Sequence, residues 1–408
     1  MRLSGSLPAE KTEDRRSFLG ISSAATLSML TGGLSDQLSA ATNNPPPTRP
    51  MYDCIVLGLG AMGSACLYQL AKRGANVLGL EQFDIAHALE SSGGISRQTK
   101  VMPYLGSHYE PLIRRANHNW KSLESDSGQN VFHNCGYLQL GTNQAVPRDS
   151  GDTVELLEGS TLIDQFPQFQ NLPDNTNGLL DQQGGLLRSE LAIAAHCSVA
   201  LQRGAHVRAQ EPVVDWVADP SGVIVTTQQG KYRAKHLVVA AGAWNSHLVP
   251  RLQNKLKVTR LSLAWFAPDD AASLSVENFP IWLHGPYYGF PVLPDFPGFK
   301  VAKHWYGDPT APTNINRTPN DTDRNMVRDY LSQHLPSANG NLLACKVCMY
   351  THGGPWLGPL PGEQRVTIIA ACNGGGFKFS TAYGEALADF ATNGKTDLPV
   401  EFMAPDSI

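Results

Sequence analysis

The chain has 408 residues, 42% of them hydrophobic, and its 32 lysines and arginines against 36 aspartates and glutamates leave a net charge of −4. That length and apolar content support a large core and two or three domains. With no basic block able to track phosphates, nucleic acid is excluded as an expected partner. Seven cysteines, at 54, 66, 135, 197, 345, 348 and 372, are an odd number spread over a long chain and form no disulfide framework.

The first fifty residues read as a leader rather than as fold. Asp14-Arg15-Arg16-Ser17-Phe18-Leu19-Gly20 sets paired arginines before a charge-free, moderately apolar stretch through Leu34, and Leu38-Ser39-Ala40 offers a small-residue cleavage site. This predicts a twin-arginine export signal over residues 1–42 and a periplasmic location; the bland alternative is a disordered basic tail. Residues 43–50, rich in proline, form a stiff linker, and the fold is expected to start near Met51. No later stretch approaches the roughly twenty apolar residues of a membrane span.

Ile55-Val56-Leu57-Gly58-Leu59-Gly60-Ala61-Met62-Gly63 is an apolar strand running into a glycine-rich turn. Gly58 permits the tight turn, Gly60 lets backbone approach a pyrophosphate, and Gly63 lets the next helix pack close to the strand. Unpaired N–H groups at that helix N-terminus suit phosphates. Leu67, Leu70 and Ala71 form an apolar stripe at helical spacing, Val77 to Leu80 is a second strand, and Glu81, followed by Gln82, falls where a ribose hydroxyl is gripped. The strand, turn, helix and strand together predict a dinucleotide site, which taken alone also permits an NAD-dependent dehydrogenase. The cytoplasmic loading of such a cofactor agrees with the twin-arginine route, which carries folded cargo.

Further along, Ser91-Ser92-Gly93-Gly94-Ile95-Ser96-Arg97 is a small-residue loop able to lie close to a cofactor, and Tyr109 to Leu123 has helical spacing. Gly136 to Gly141 alternates like a strand, and residues 142–183 look irregular. Helical spacing resumes from Leu191 to Leu201, short strands run from Val207 to Val225, and Leu237 to Ala241 is a buried strand ending at Gly242. Leu261 to Tyr306 is aromatic and β-like, and residues 323–335 look helical. Val366 to Ala371 is a strand feeding Asn373-Gly374-Gly375-Gly376-Phe377-Lys378, with a helix over Ala382 to Ala391. The expected organisation is a discontinuous nucleotide domain (51–135, 185–255, 340–400) and a second domain on an antiparallel sheet (136–184, 256–339).

With these pieces placed, the chain from about Tyr52 to Thr396 resembles the amine-oxidising flavoproteins typified by monomeric sarcosine oxidase and N-methyltryptophan oxidase. The specific points are Tyr287-Tyr288-Gly289-Phe290-Pro291, Gly298-Phe299-Lys300 with His304, Val347-Cys348-Met349-Tyr350-Thr351, and Gly376-Phe377-Lys378-Phe379-Ser380. The resemblance implies an α/β fold with α+β elements: a Rossmann-like FAD-binding domain and a substrate domain on an antiparallel sheet. It implies FAD attached through Cys348 to the flavin 8α-methyl carbon, with further cofactor contacts from Ser92, Arg97, Val214, Gly242, Gly375, Gly376 and Phe377. Without it, Cys345-Lys346-Val347-Cys348 is a CxxC open to a redox dithiol or half of a zinc site, though no second ligand pair accompanies it; no metal is expected.

The resemblance further implies that Lys300 assists reaction with O₂ and that Lys378 binds the substrate carboxylate; by itself Lys300 would read as an exposed strand-edge lysine. His304, Tyr288 and Tyr350 match active-site residues, with a structural imidazole and ordinary core packing as the alternatives. Three departures stand out. Lys100 replaces an arginine and lacks its planar fork. Cys372-Asn373-Gly374-Gly375 replaces Phe-Ser-Gly-His, losing a histidine at Gly375. His352 to Leu357 replaces an acidic segment. The implied activity is oxidation of a secondary amine, foremost an N-methyl amino acid, by a monomer using O₂; the alternatives are oxidation or dehydrogenation of a cyclic or D-amino acid, or amine binding without turnover.

Overall fold

The computed structural model describes residues 38, 51–102, 106–142, 145–146, 153–304 and 307–408. The expected signal and linker lie outside these residues, apart from Leu38, which is 3% exposed within the core cluster that includes Leu67, Leu70 and Leu387.

Strand β1 (Tyr52–Leu57) passes through the glycine turn into helix α1 (Ala61–Lys72) and returns as β2 (Val77–Leu80). Helices α2 (Glu110–Ser127) and α3 (Ser189–Gln202) follow, and then the long strand β3 (Lys231–Val239). β1 lies between β2 and β3, parallel to both. From Cys54 to Leu57 it is buried on both faces and reads as an unbroken apolar run rather than an alternating one. β4 (Lys257–Phe266), β5 (Phe299–Lys303) and β6 (Leu342–His352) build the second sheet, before β7 (Glu363–Ala370) and α4 (Ser380–Asn393) return to the first.

The first sheet has eight strands, in which β3 pairs β1 and, through Leu237–Val239, β7. The antiparallel strands Val213–Asp219 and Gly222–Thr227 extend it at one edge and His206–Arg208 at the other. The second sheet has nine strands, antiparallel except where Ile281–His284 runs parallel to Tyr137–Thr142. β6 pairs antiparallel along all of β4, from Lys257 opposite His352 to Phe266 opposite Leu342, and β5 pairs the far end of β4 on its other edge.

Within the stretch expected to be irregular, residues 153–183 are more ordered than expected. They contain Val154–Glu158, Gly159–Gln165 and Thr176–Asp181, two strands and a helix; Thr176–Asp181 pairs with Tyr137–Thr142 on one edge and with Val154–Glu158 on the other. They are short, and packing against a distant part of the chain sets their order, so local pattern does not reveal them. The expected return to the nucleotide domain at residue 340 also moves. β6 belongs to the second sheet along its length, and the chain rejoins the first at Trp356–Leu360, antiparallel to β7. Residues 323–335 form two short helices, Asp321–Asn325 and Arg328–His334, the first opened by a capping box between Asn320 and Asp323. All seven cysteines are free. Among the described residues no helix is long and apolar enough to cross a membrane.

The tightest point of the nucleotide domain is where α1 crosses β1. A Cβ on Gly63 would overlap the Gly58 carbonyl oxygen, which is backbone and cannot turn aside. Gly63→Ala therefore has to lift the helix from the strand and is expected to cost about 2 kcal/mol or more. Gly230→Ala, with open space around the added atom, should stay within about 0.5 kcal/mol. Denaturant unfolding midpoints of the two variants check this; equal midpoints would contradict it.

Candidate active site

A cavity of about 760 Å³ lies between the carboxyl ends of β1, β2 and β3 and the face of the second sheet. Ligands in open α/β sheets bind at such strand ends. At the near end Gly58 holds φ +82°, a left-handed conformation that suits glycine, and its N–H donates to the Leu80 carbonyl at 2.8 Å. Gly60, Ala61 and Met62 line the cavity, so the α1 N-terminus opens directly onto it. Glu81 lines it with Gln82, and its carboxylate accepts from the N–H of Leu59 at 2.8 Å and of Phe83 at 3.0 Å. Gly242, with φ +52°, closes this end beside Ala240 and Ala241.

At the far end the second sheet presents Lys300 from β5 and Cys348 and Tyr350 from β6. These strands flank β4 on opposite edges, so the antiparallel register brings together residues nearly fifty positions apart. Lys300 is 2% exposed; its ammonium donates to the carbonyls of Gly94 (2.9 Å) and Ser96 (2.7 Å), lies 3.3 Å from Ser96 Oγ, and sits 4.4 Å from the Phe290 ring centre. Burial, and then Arg97, lower its pKa well below the usual lysine value. Three oxygen partners match the three donors of the charged form.

The loop between these ends is held from both sides. Arg97 donates to the carbonyls of Ser91, Gly93 and Ser96, and its Nη2 lies 3.8 Å from Cys348 Sγ. Glu190, at the start of α3, accepts from the N–H groups of Gly94 and Ile95 and from Ser189 Oγ. Ser92 and Arg97 line the cavity, and Cys348 Sγ lies 3.5 Å from the Ser91 carbonyl.

Tyr350 hydrogen-bonds Tyr288, and His304 Nδ1 lies 3.1 Å from the Tyr350 hydroxyl, so these three cavity residues form one polar chain. Burial, with Lys378, His352 and Lys100 nearby, takes the His304 imidazole down to about 4, leaving it neutral at pH 7. Lys100 lines the cavity 4.0 Å from the Tyr137 ring centre, with its pKa lowered well below the usual by burial and then by Lys378. Lys378 donates to the Gly375 carbonyl at 2.6 Å, and burial takes its ammonium down to about 7. Two buried ammonium groups, one of which disfavours the charge of the other, make this end a place for a carboxylate.

The remaining expected residues divide in two. Gly375, Gly376 and Phe377 line the cavity. Lys378 stands directly behind that lining, Gly63 lies beneath the turn, and Leu59 contributes its backbone N–H to Glu81 while its side chain crowds Gly79. Val214 is a correction: it is 62% exposed, and its neighbour Val213 lines the cavity instead. Side chains alternate along this edge strand, so a one-residue offset reverses the face. Sequence reasoning missed Glu190, whose only signal is an acid at the opening of an apolar helix, and Asp181, which accepts from the N–H groups of Val101 and Met102 beside Lys100. It also missed Glu90 and gave no ligand role to Cys372, both of which line the cavity. Among the described residues no cluster of ligands could hold a metal.

The sequence profile of the FAD dependent oxidoreductase family matches residues 53–390. The chain is 33% identical over 373 residues to monomeric sarcosine oxidase from Bacillus sp. (strain B-0618), a match covering 86% of this chain and 95% of that protein. It is 32% identical over 362 residues to N-methyl-L-tryptophan oxidase from Yersinia pestis (strain Pestoides F), covering 83% and 95%. Among solved structures, the open form of NikD, described as an unusual amino acid oxidase essential for nikkomycin biosynthesis, superposes with a TM-score of 0.77 at 25% identity, over 88% of this chain and 98% of that one. With its glycine turn, strand-end cavity and two-sheet architecture, this chain belongs to the FAD dependent oxidoreductase family.

Proposed function

We propose that the protein oxidises a secondary amine, an N-methyl amino acid of the sarcosine type, with O₂ as electron acceptor. The observation that carries this is the far end of the cavity, where the buried cation Lys300, the free thiol of Cys348 and the Lys100 ammonium line one tyrosine-walled space, with the Lys378 ammonium behind Gly375. Both curated relatives described above are named as oxidases of N-methyl amino acids or sarcosine, which supports the substrate class.

FAD suits the cavity at both ends. The glycine turn packs tightly, since a Cβ on Gly58 would stand 2.7 Å from the Ala240 carbonyl, and the turn brings the α1 N-terminus with its N–H donors to the cavity wall, where a diphosphate can meet them. When bound, the flavin supplies the two-electron chemistry, taking hydride from the carbon next to the amine nitrogen and passing the electrons to O₂ as hydrogen peroxide. The imine left by an N-methyl substrate hydrolyses in water to formaldehyde and the primary amino acid. This chain's residues do the rest. Lys100 and Lys378 hold the carboxylate, and Tyr288 and Tyr350 wall off water and face the amine. Neutral His304 anchors the Tyr350 hydroxyl. Lysine in place of arginine at Lys100 grips with a point charge rather than a fork, and the lining glycine Gly375 presents no side chain to the substrate.

In this reading Cys348 tethers the flavin by a thioether, supported by a free, cavity-lining thiol beside Arg97. Acid-precipitated wild-type protein should keep its yellow colour, with about one flavin per chain, and Cys348→Ser should release it all; colour lost from both would contradict the tether.

Lys300 places a fixed cation in a buried site where negative charge develops on oxygen. Lys300→Met should slow reoxidation by O₂ about a hundredfold or more while leaving anaerobic reduction by the amine largely intact. Because burial lowers its pKa, the wild-type reoxidation rate should fall as pH rises through the Lys300 ionisation, and the variant should lose that dependence. Rapid mixing of reduced enzyme with O₂ reads both; equal rates for variant and wild type would contradict the role.

Export by the twin-arginine route rests on the Arg15-Arg16 pair and the apolar stretch that follows. N-terminal sequencing of the periplasmic form should give a start shortly after Ala40, and an intact chain found only in the cytoplasm would contradict it.

A further inference from the structure

One half-buried acid in the cavity is used by neither the fold nor the amine chemistry. Glu90 lies at the glycine-turn end, next to Ser91, and lines the cavity with Gly60 and Ala61. Its carboxyl group overhangs Gly60 so closely that a Cβ there would collide with Glu90 Oε2. Glu90 Oε1 is buried with no hydrogen-bond partner, a costly state for an ionised oxygen.

The charged groups around it are Glu81, Glu190, His87 and Arg97, and each is committed elsewhere. Glu81 accepts from Leu59 and Phe83, and Glu190 from Gly94, Ile95 and Ser189. Arg97 donates to three loop carbonyls. His87 Nδ1 accepts from the Leu89 N–H, and its Nε2 lies 3.6 Å from Glu81 Oε1. Burial, eased by His87 and Arg97 and reinforced by Glu81 and Glu190, pushes the Glu90 carboxyl up to about 8, so it holds its proton at neutral pH.

We propose that Glu90 acts as a protonated acid that donates a hydrogen bond to the FAD diphosphate where it passes Gly60. An ionised carboxylate there would repel the diphosphate, whereas a carboxylic acid offers it a donor, and the glycine turn with the α1 N-terminus is where an anion is received. The proposal rests on the FAD assignment and is independent of which amine is oxidised.

The sign of the pH effect follows. The complex favours protonated Glu90, so affinity is full below its ionisation and falls above it by up to about tenfold per pH unit, as donor is lost and like charge appears. The test uses apo protein carrying Cys348→Ser, so that binding is reversible, titrated with FAD from about pH 6.5 to about pH 9.5 by flavin fluorescence. The Cys348→Ser parent should lose about tenfold or more in affinity across that range, and adding Glu90→Gln, which keeps a donor and cannot ionise, should keep the neutral-pH affinity within about threefold and flatten the profile. A flat parent profile overturns the proposal, as does a Glu90→Gln profile that declines like the parent. If Glu90→Gln does not fold, Glu90→Ala decides: weaker binding than the parent at the low-pH end with no decline supports the donor, while tighter binding there shows the side chain to be an obstacle and overturns it. No FAD binding at any pH would reject the cofactor assignment itself, and this inference with it.

Discussion

The site depends on how the backbone of residues 91–97 is held. Lys300 reaches across from the second sheet to the carbonyls of Gly94 and Ser96, and Glu190 reaches from α3 to the N–H groups of Gly94 and Ile95. Arg97 folds back on the carbonyls of Ser91, Gly93 and Ser96. Buried charges are costly unless fully hydrogen-bonded, and here two of them find partners in the same stretch of loop backbone. Removing Lys300 deprives the Gly94 and Ser96 carbonyls of that donor, and removing Glu190 deprives the Gly94 and Ile95 N–H groups of their acceptor. The loop thereby joins the two sheets and sets the distance between the glycine turn and Cys348.

The cavity is electrically divided as a consequence. Its glycine-turn end collects N–H donors, with Glu81 already bonded to backbone, and so favours a diphosphate and a ribose. Its far end collects Arg97, Lys100, Lys300 and, behind Gly375, Lys378, with Asp181 occupied by the backbone of Val101 and Met102. Crowded, desolvated ammonium groups lower one another's affinity for protons and are relieved by an anion. One elongated cavity thus suits the two halves of a dinucleotide cofactor together with an anionic substrate.

Much of the fold was legible because local sequence and global structure agree. The unbroken apolar run of β1, the glycines of the turn and the stripe of Leu67, Leu70 and Ala71 all describe one strand-turn-helix unit that also holds in three dimensions. What was not legible is non-local. Thr176–Asp181 is a strand because Tyr137–Thr142 supplies a partner, and Val154–Glu158 because Thr176–Asp181 then supplies one to it. β6 joins the second sheet because β4 pairs with its whole length, which a boundary drawn on local composition at residue 340 could not register. In the site, resemblance located Lys300, Cys348, Tyr350 and His304. Glu190 and Glu90 went unnoticed because an acid beside a glycine loop or at a helix start has many ordinary uses. Val214 shows the sharpest limit, since on an edge strand one residue separates the lining face from solvent.

The most direct test is anaerobic reduction of the bound flavin by a panel of N-methyl amino acids, followed by loss of its visible absorbance. The account predicts saturable bleaching by at least one N-methyl amino acid, and none by the corresponding N-methyl amine that lacks a carboxylate for Lys100 and Lys378 to hold. Flavin that stays oxidised with every N-methyl amino acid would contradict it.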